Sequence, residues 1–200
     1  MAVTLSLSAF PLFAGLDPQD LRELEARVRR LPLNRGQTLF LEGDEAQGFY
    51  LVRSGRLKIY KSSSTGREQI LHLVGPGEPV GEVVFAGSRL PASAEAMEAS
   101  EVLLIPRQAF LDLVRAEPEV AMKFLASLSQ RLRFLTTLVE NLALREVAER
   151  VAAYILYLDR VQGGHGHVEL DLSRNDLASL FGTVPETLSR ALQRLIRDGT

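Results

Sequence analysis

Apolar and polar residues alternate in two different ways along this chain, and the change divides it into a strand-rich first half and a helical second half. Nine of the 15 glycines fall between Gly36 and Gly87, where they separate short apolar runs. Four of these runs are predicted to be strands: Gln37–Leu41, Phe49–Val52, Arg56–Lys61 and Gln69–Val74. A last strand is predicted at Glu101–Ile105, where it ends at Pro106. Short strands with turn residues at regular intervals predict a small barrel or sandwich. Ser54 and Gly55 predict a tight hairpin, because glycine supplies the positive φ that such a turn needs.

Helical periodicity comes before and after these strands. Asp17 and Pro18 suit the N-cap and first turn of a helix that is expected to reach about Arg30. After Pro118, apolar residues step by three and four as in a heptad seam, at Leu125, Leu128, Leu132, Leu135, Val139 and Leu142. A narrow seam with polar flanks is typical of helix pairing, so a parallel homodimer is predicted. The alternative is a helix that lies on its own barrel.

A second helix is expected from about Leu144 to Arg160, after a break near residues 141–144 that would act as a hinge. A glycine-rich connector follows at residues 163–166, and His167–Leu172 alternates like an edge strand.

The segment from Ser173 to Asp198 predicts a helix-turn-helix. Ser173 and Asp176 resemble a capping box, a short apolar helix follows, and Gly182 ends it. A second helix is predicted to start at Thr183, with Pro185 in its first turn and Glu186 completing a Thr-x-x-Glu cap. Two short helices joined by a short turn that contains glycine are typical of this DNA-reading motif.

The second helix of the motif has two faces. One face is apolar and is expected to pack inward, with Leu188, Leu192, Leu195 and Ile196. Glu186, Ser189 and Arg190 share the N-terminal half of the other face, where a recognition helix meets base edges. Arginine can bond guanine in two places and glutamate can accept from cytosine, so these three are predicted to read bases.

The other residues assigned to the DNA surface are Thr183, Pro185 and three arginines placed for phosphates, Arg174, Arg194 and Arg197. The alternative is an ordinary amphipathic helix pair with a solvated charged face, in which Glu186 is only a helix cap.

The composition of the chain excludes several classes of protein and several kinds of site. The net charge of −2 argues against a protein coated with positive charge but permits a local DNA surface. There is no cysteine, which excludes thiolate zinc sites and cysteine-held iron–sulfur clusters and fits a reducing cytoplasm. No apolar run is long enough for a membrane span, and the first 13 residues lack the basic region of a signal peptide. No nucleophile elbow, HExxH, phosphate-binding loop or dinucleotide fingerprint is present, so an enzyme is not expected.

Five short motifs, taken together with the helix-turn-helix, resemble the Crp/Fnr superfamily of bacterial transcription regulators over nearly the whole chain. They are Glu42-Gly43-Asp44, Tyr50-Leu51-Val52-Arg53-Ser54-Gly55, Gly77-Glu78-Pro79-Val80-Gly81-Glu82, Asn141-Leu142-Ala143-Leu144 and Pro185-Glu186-Thr187-Leu188-Ser189-Arg190. The resemblance implies an α+β fold with a cyclic-nucleotide-binding-type β-roll, a long dimerisation helix and a winged helix-turn-helix.

The resemblance also implies a separate function for each of three parts of the chain. Residues 1–117 would sense an effector, residues 118–143 would form the dimerisation helix and hinge, and residues 144–200 would bind DNA. The Glu-x-x-Ser-Arg pattern resembles that of the fumarate-nitrate and denitrification regulators, which implies a palindromic site with TTGAN-like half-sites. Double-stranded DNA, a second copy of the chain and RNA polymerase are the implied partners. An activator role is one interpretation, and a repressor role is the alternative. The rival hypothesis is a sensor module whose helix-turn-helix mediates protein contacts.

The effector pocket implied by the resemblance contains Gly81, Glu82, Leu90, Leu135 and Thr136. In the family's cyclic-nucleotide binders, the glycine–glutamate pair is followed by an arginine that meets the cyclic phosphate. Here Leu90 stands at that position and Arg89 is one residue early. Because an apolar leucine cannot pair with a phosphate, cyclic AMP is not the expected effector.

The branch with the same recognition helix includes regulators of denitrification and nitrosative stress that are thought to sense nitric oxide through haem. The resemblance therefore makes haem a candidate cofactor, with His72 as the candidate axial ligand, since imidazole is a standard haem ligand. A purely structural role for His72, another small molecule, or no ligand remain alternatives. His165 and His167 lie in the glycine-rich connector, where a solvated loop is expected and no metal site is predicted.

Overall fold

The computed structural model of the chain describes residues 7–87, 89–170 and 172–198, apart from the side chains of Phe134 and Val161. The chain divides into two compact units. We call residues 1–61 with 71–129 the roll unit, and residues 62–70 with 130–200 the helical unit. Strands and helices are both present, as the α+β prediction requires. Of the helices in the described ranges, none has the length and apolarity to span a bilayer.

Two four-stranded sheets form the roll. The strands are β1 (Arg29–Leu33), β2 (Thr38–Phe40), β3 (Gly48–Ser54), β4 (Leu57–Ser62), β5 (Glu68–Val74), β6 (Pro79–Val80), β7 (Ser93–Ala96) and β8 (Ser100–Pro106). Their order is β1-β8-β3-β6 in the first sheet and β2-β7-β4-β5 in the second. All five predicted strands are present, whereas β1, β6 and β7 were not predicted. These three contain Pro32, Pro79 and the alanine-rich run of β7, which lack a strand-like apolar pattern.

The predicted turn at Gly55 is present, but it does not form a hairpin. Gly55 has φ +82°, and a Cβ atom there would lie 2.2 Å from the Oγ atom of Ser100. However, β3 pairs with β6 and β8, while β4 belongs to the second sheet. The turn therefore passes the chain from one sheet to the other, and glycine is needed for both its dihedral angle and the close approach.

Short helices flank the strands of the roll unit. They are two 3-10 turns (Leu7–Ala9 and Pro11–Phe13), α1 (Pro18–Glu25), a third 3-10 turn (Glu82–Phe85) and α2 (Arg107–Ala116). The predicted cap of α1 is confirmed, because Asp17 accepts a hydrogen bond from the Gln19 amide at 2.7 Å. The prediction that α1 reaches Arg30 is wrong, because Arg29 and Arg30 pair with β8 instead.

Four phenylalanine rings form the centre of one core of the roll unit. Phe49 of β3, Phe85 of the third 3-10 turn and Phe110 of α2 surround Phe124, with neighbouring ring centroids 5.0–5.9 Å apart. Phe124 belongs to the long helix α3 (Glu119–Leu144), which was predicted to start one residue earlier. These rings pack the 3-10 turn against the beginning of α3.

The helical unit contains the rest of α3, then α4 (Val147–Val161), α5 (Arg174–Leu180) and α6 (Pro185–Asp198). Its core consists of Val151, Ala178, Phe181 and Leu188. The edge strand predicted from His167 is absent from the described residues 167–170. There the Gln162 side chain bonds the amide and the carbonyl of Glu169, at 2.9 and 3.0 Å, and so takes the place of a partner strand.

Candidate nucleic-acid interface

Helices α5 and α6 form the predicted helix-turn-helix. Ser173 caps α5 by accepting from the Asp176 amide at 3.1 Å, as predicted. Gly182 has φ +63° and reverses the chain between the two helices. Helix α6 begins at Pro185 rather than at the predicted Thr183, whose amide donates to the Ala178 carbonyl at 2.9 Å. Val184 thus takes the N-cap position, and its carbonyl accepts the first helical bond.

One face of α6 holds the helix in the unit. Leu188 and Ala191 are buried, and Leu192 and Leu195 pack partly against the same core. The prediction that Ile196 packs inward is wrong, because Ile196 is 77% exposed. At 3.6 residues per turn, Ile196 lies about 80° round the helix from Leu188, outside the buried stripe.

The opposite face carries two of the three predicted base-reading side chains. Glu186 and Arg190 are exposed, and among the described residues Arg190 has no ion pair. Ser189 lies on the flank and is half-buried. Its hydroxyl donates to the Pro185 carbonyl at 2.9 Å and accepts from Arg174 at 3.3 Å. Glu186 and Arg190 are therefore presented directly to solvent, whereas Ser189 and Arg174 bond each other.

The arginines assigned to phosphates differ in their surroundings. Arg197 is exposed near the end of α6. Arg194 is held by two carboxylates, Glu146 at 2.9 Å and Asp198 at 3.7 Å. Glu146 precedes α4 and forms a capping box with Glu149. A phosphate that binds Arg194 has to compete with these carboxylates.

The residues assigned to effector binding fall in both units. Gly81, with φ +77°, and Leu90 belong to the roll unit, and a Cβ on Gly81 would meet Leu90 and Tyr50 at 3.4 Å. Leu90 is 2% exposed and belongs to an apolar core. Arg89 points elsewhere, since its guanidinium donates to the Gly43 carbonyl at 2.8 Å. Around Gly81 and Leu90 this roll is therefore packed with hydrocarbon.

Tyr50 and His72 are two further side chains with polar groups in this roll. Burial raises the pKa of the Tyr50 phenol, and the nearby Asp44 carboxylate raises it further while Arg29 opposes the change. Tyr50 therefore stays uncharged at neutral pH. His72 is half-buried on β5 and shares its face with Val74 of the apolar core, because side chains alternate along a strand. Within the described ranges, no cluster of three potential metal ligands occurs. Glu82, the remaining residue of the roll unit that was assigned to the effector pocket, is the first residue of the third 3-10 turn.

In the helical unit, Leu135 is half-buried and Thr136 is exposed, with its hydroxyl bonded to the Leu132 carbonyl of the preceding turn at 2.9 Å. The seam of α3 is not uniform. Leu125, Leu132 and Val139, spaced by seven residues, are 53%, 67% and 66% exposed. The intervening positions, Leu128, Leu135 and Leu142, are half-buried. Leu128 packs partly against the phenylalanine core, so only one of the two heptad positions is fully open.

A contact that the sequence did not indicate joins residues 62–70 to α5. Gln69 donates to the Ser179 carbonyl at 2.7 Å, and Arg67 donates to the Gly182 carbonyl at 3.3 Å. The partners are more than 100 positions apart, and both are ordinary polar residues in their own segments. The periodicity of the sequence therefore does not predict that these residues contact each other.

Comparisons with known proteins agree with this geometry. Residues 30–117 match the cyclic nucleotide-binding domain, and residues 149–200 match the Crp-like helix-turn-helix domain. The chain is 36% identical to the cyclic AMP receptor protein of Thermus thermophilus, over 94% of this chain and 87% of that protein. It is 32% identical to the fumarate and nitrate reduction regulatory protein of Escherichia coli, over 97% of this chain and 80% of that protein. Among solved structures, FixK2 from Bradyrhizobium japonicum superposes with a TM-score of 0.75 at 29% identity, covering 86% of each chain.

Proposed function

This chain belongs to the Crp/Fnr family of DNA-binding transcription regulators, and from that membership we propose that it is a ligand-responsive regulator acting as a homodimer on a palindromic TTGAN-like site. The observation that carries the proposal is the division of α6. Its buried side fixes the helix, and its opposite side presents Glu186 and Arg190 to solvent.

The chemistry of these two side chains suits a G·C pair. The guanidinium can donate two hydrogen bonds to the major-groove edge of guanine, and the carboxylate can accept from the amino group of cytosine. Both lie in the first two turns of α6, the part of a recognition helix that reaches base edges. Arg197 adds a phosphate contact at the other end, and Arg194 adds another once its carboxylates release it.

The exposed line of Leu125, Leu132 and Val139 supports dimerisation through α3. Apolar side chains in one heptad position that remain open to water are the pattern by which two helices pair. A two-fold dimer matches a palindromic operator, because each recognition helix then meets one half-site about 34–36 Å from the other. The same proposal implies that the regulator contacts RNA polymerase and that it acts in the cytoplasm.

The roll is proposed to take an uncharged or largely apolar effector. Leu90, Val80 and Tyr50 offer no charge that would pair with a cyclic phosphate, and the buried Lys58 already pairs with Glu95 at 3.2 Å. Haem is the specific candidate, and His72 is the residue that would hold its iron, because His72 lies on the same face of β5 as Val74 of this core. Haem would supply an iron centre that binds diatomic gases such as nitric oxide, while the chain holds it through His72 and apolar contacts.

The DNA proposal is tested by fluorescence anisotropy with a duplex that carries two inverted TTGAN half-sites one helical turn apart, against a scrambled duplex of equal length. We expect tighter binding to the palindrome and a steep loss of affinity with salt, because phosphate neutralisation releases counterions. Equal affinity for both duplexes under every ligand condition contradicts sequence-specific recognition.

The haem proposal has its own test. Haemin is titrated into the purified protein and into a His72→Ala variant, and the Soret band is recorded. A stoichiometric Soret shift in the original chain that is lost in the variant supports His72 as the residue that holds the haem. No shift at equimolar haemin removes haem but leaves the DNA proposal intact.

A further inference from the structure

Ser189 lies at the flank of the recognition face, on the side of α6 that meets α5. Successive residues of a helix are about 100° apart, so Ser189 points about 100° away from Arg190. It is half-buried, whereas Arg190 is exposed. Helices α5 and α6 both belong to the helical unit, and Arg174, the first residue of α5, donates from Nη1 to the Ser189 hydroxyl at 3.3 Å. Ser189 therefore contacts the neighbouring helix, and Arg190 does not.

The hydrogen bonds of this hydroxyl leave it little to offer a base. A serine hydroxyl has one proton to donate and can accept two hydrogen bonds. The proton goes to the Pro185 carbonyl at 2.9 Å, and Arg174 donates one of the accepted bonds. The major-groove edges of thymine and guanine present acceptor atoms, so a hydroxyl can bond them only by donating. To do so, Ser189 has to break its bond to Pro185.

The same hydroxyl holds a guanidinium without neutralising it. Arginine carries several N–H donors in a planar fork, and Arg174 uses one of them on Ser189. The remaining donors include a pair that matches two oxygens of a phosphate. Among the described residues Arg174 has no ion pair, whereas Arg194 is paired with the Glu146 carboxylate at 2.9 Å. Ser189 thus fixes the direction of Arg174 and leaves its positive charge available to DNA.

We propose that Ser189 is a positioning residue, which directs Arg174 toward a phosphate and does not identify a base. The inference rests on the proposed function, because it assigns roles within the same DNA surface. Its energetic basis is the conformational freedom of the arginine. Immobilising one long side chain on binding weakens affinity by about two- to twelvefold, and a side chain that is already held avoids part of this loss. A dimer gains this advantage twice.

The first test is anisotropy of a Ser189→Ala variant on the palindromic duplex and on duplexes in which each half-site position is changed in turn. The variant keeps every charge, and alanine is a better helix former than serine. We expect Kd to rise by about tenfold on all duplexes alike, about threefold for each protomer. The ratios between duplexes should stay as they are in the original chain. Loss of preference at one half-site position overturns the proposal, because Ser189 then reads a base.

A double-mutant cycle tests whether this effect passes through Arg174. Ser189→Ala is repeated in a chain that already carries Arg174→Ala. There it should no longer weaken binding, because the guanidinium that it positions is gone. Equal loss of affinity in both backgrounds refutes the positioning role. Arg174→Ala itself should lower the slope of log K against log salt by about two, one for each protomer.

Two further variants separate positioning from a purely structural role of the hydroxyl. Ser189→Thr keeps a hydroxyl that can bond the Pro185 carbonyl and accept from Arg174, so it should bind like the original chain. Thr137→Ala removes a hydroxyl that is bonded in the same way to the Arg133 carbonyl of α3, at 3.2 Å, and should leave Kd unchanged. If Ser189→Ala melts at a lower temperature and Ser189→Thr restores neither stability nor affinity, the hydroxyl only stabilises the motif and the proposal is wrong.

Motion of the guanidinium in the free protein distinguishes a failure of this inference from a failure of the proposed function. NMR relaxation of the Arg174 Nε–H group is recorded without DNA in the original chain and in Ser189→Ala. We expect the group to be more ordered in the original chain. Equal order in the two proteins overturns the positioning role even if DNA binding is selective. If the original chain binds every duplex equally, the proposed function fails, while the relaxation measurement still decides whether Ser189 holds Arg174.

Discussion

Replacing Arg190 by alanine removes the side chain that is best placed to identify a base. Arg190 is exposed and has no ion pair among the described residues, so its truncation costs the free protein almost nothing. The substitution therefore changes the free energy of the protein–DNA complex and not that of the free protein. A two-point contact with guanine discriminates by about 1–3 kcal/mol, which is about 5- to 150-fold in Kd for each half-site.

The assay is anisotropy titration on the palindromic duplex and on a set in which each half-site position is changed in turn. The original chain should lose affinity when the guanine is replaced. Arg190→Ala should bind the original and the changed duplex equally well, because the group that distinguished them is gone. Specificity should thus relax at one position of the half-site and stay intact at the others.

Arg194→Ala is the matched control, since it removes the same side chain one turn later in α6. Arg194 is already held by Glu146 and Asp198, and its expected partner is a phosphate. Its loss should weaken binding to all duplexes alike and lower the slope of log K against log salt by about two, one for each protomer of the dimer. If Arg190→Ala shows this uniform behaviour instead, Arg190 contacts only the backbone and the assignment of the recognition face is wrong.

Three further changes test the rest of the molecule. Leu132→Glu places a charge on the exposed line of α3 and should shift the protein to monomer in analytical ultracentrifugation, whereas the exposed Thr137→Glu should not. Gly55→Ala should lower the free energy of unfolding in urea by at least about 1–3 kcal/mol, because the backbone is left-handed there and a Cβ has no room. For Asp112, hydrogen bonds, foremost from Gln108, lower the carboxyl pKa from 3.8. The stability lost in Asp112→Asn should therefore be measurable above pH 3.8 and shrink as the pH falls below it.

The sequence indicates elements best where the local pattern and the packing agree. The glycine-separated runs form β2, β3, β4 and β5, and the run before Pro106 forms β8, because their apolar residues fill the cores of the roll. Helix α1 ended early because Arg29 and Arg30 gain a partner strand, and no local preference signals that pairing. Helix α2 was missed although its buried residues Phe110 and Leu113 have helical spacing.

For the candidate site, periodicity located the recognition helix and separated its faces. It could not show that Arg174 bonds Ser189 or that Glu146 bonds Arg194, because such pairs depend on how two segments are brought together. It also misjudged Ile196, since an apolar residue near a helix end remains exposed when no neighbour covers it.

The phenylalanine core gives the roll unit a rigid internal linkage. Phe85 is three residues after Glu82 in the same 3-10 turn, and its ring meets Phe124 edge to face at a centroid distance of 5.5 Å. Close-packed rings transmit a displacement rather than absorb it. A displacement of the third 3-10 turn would therefore pass from Phe85 to Phe124, and so to the first turns of α3, by steric contact alone.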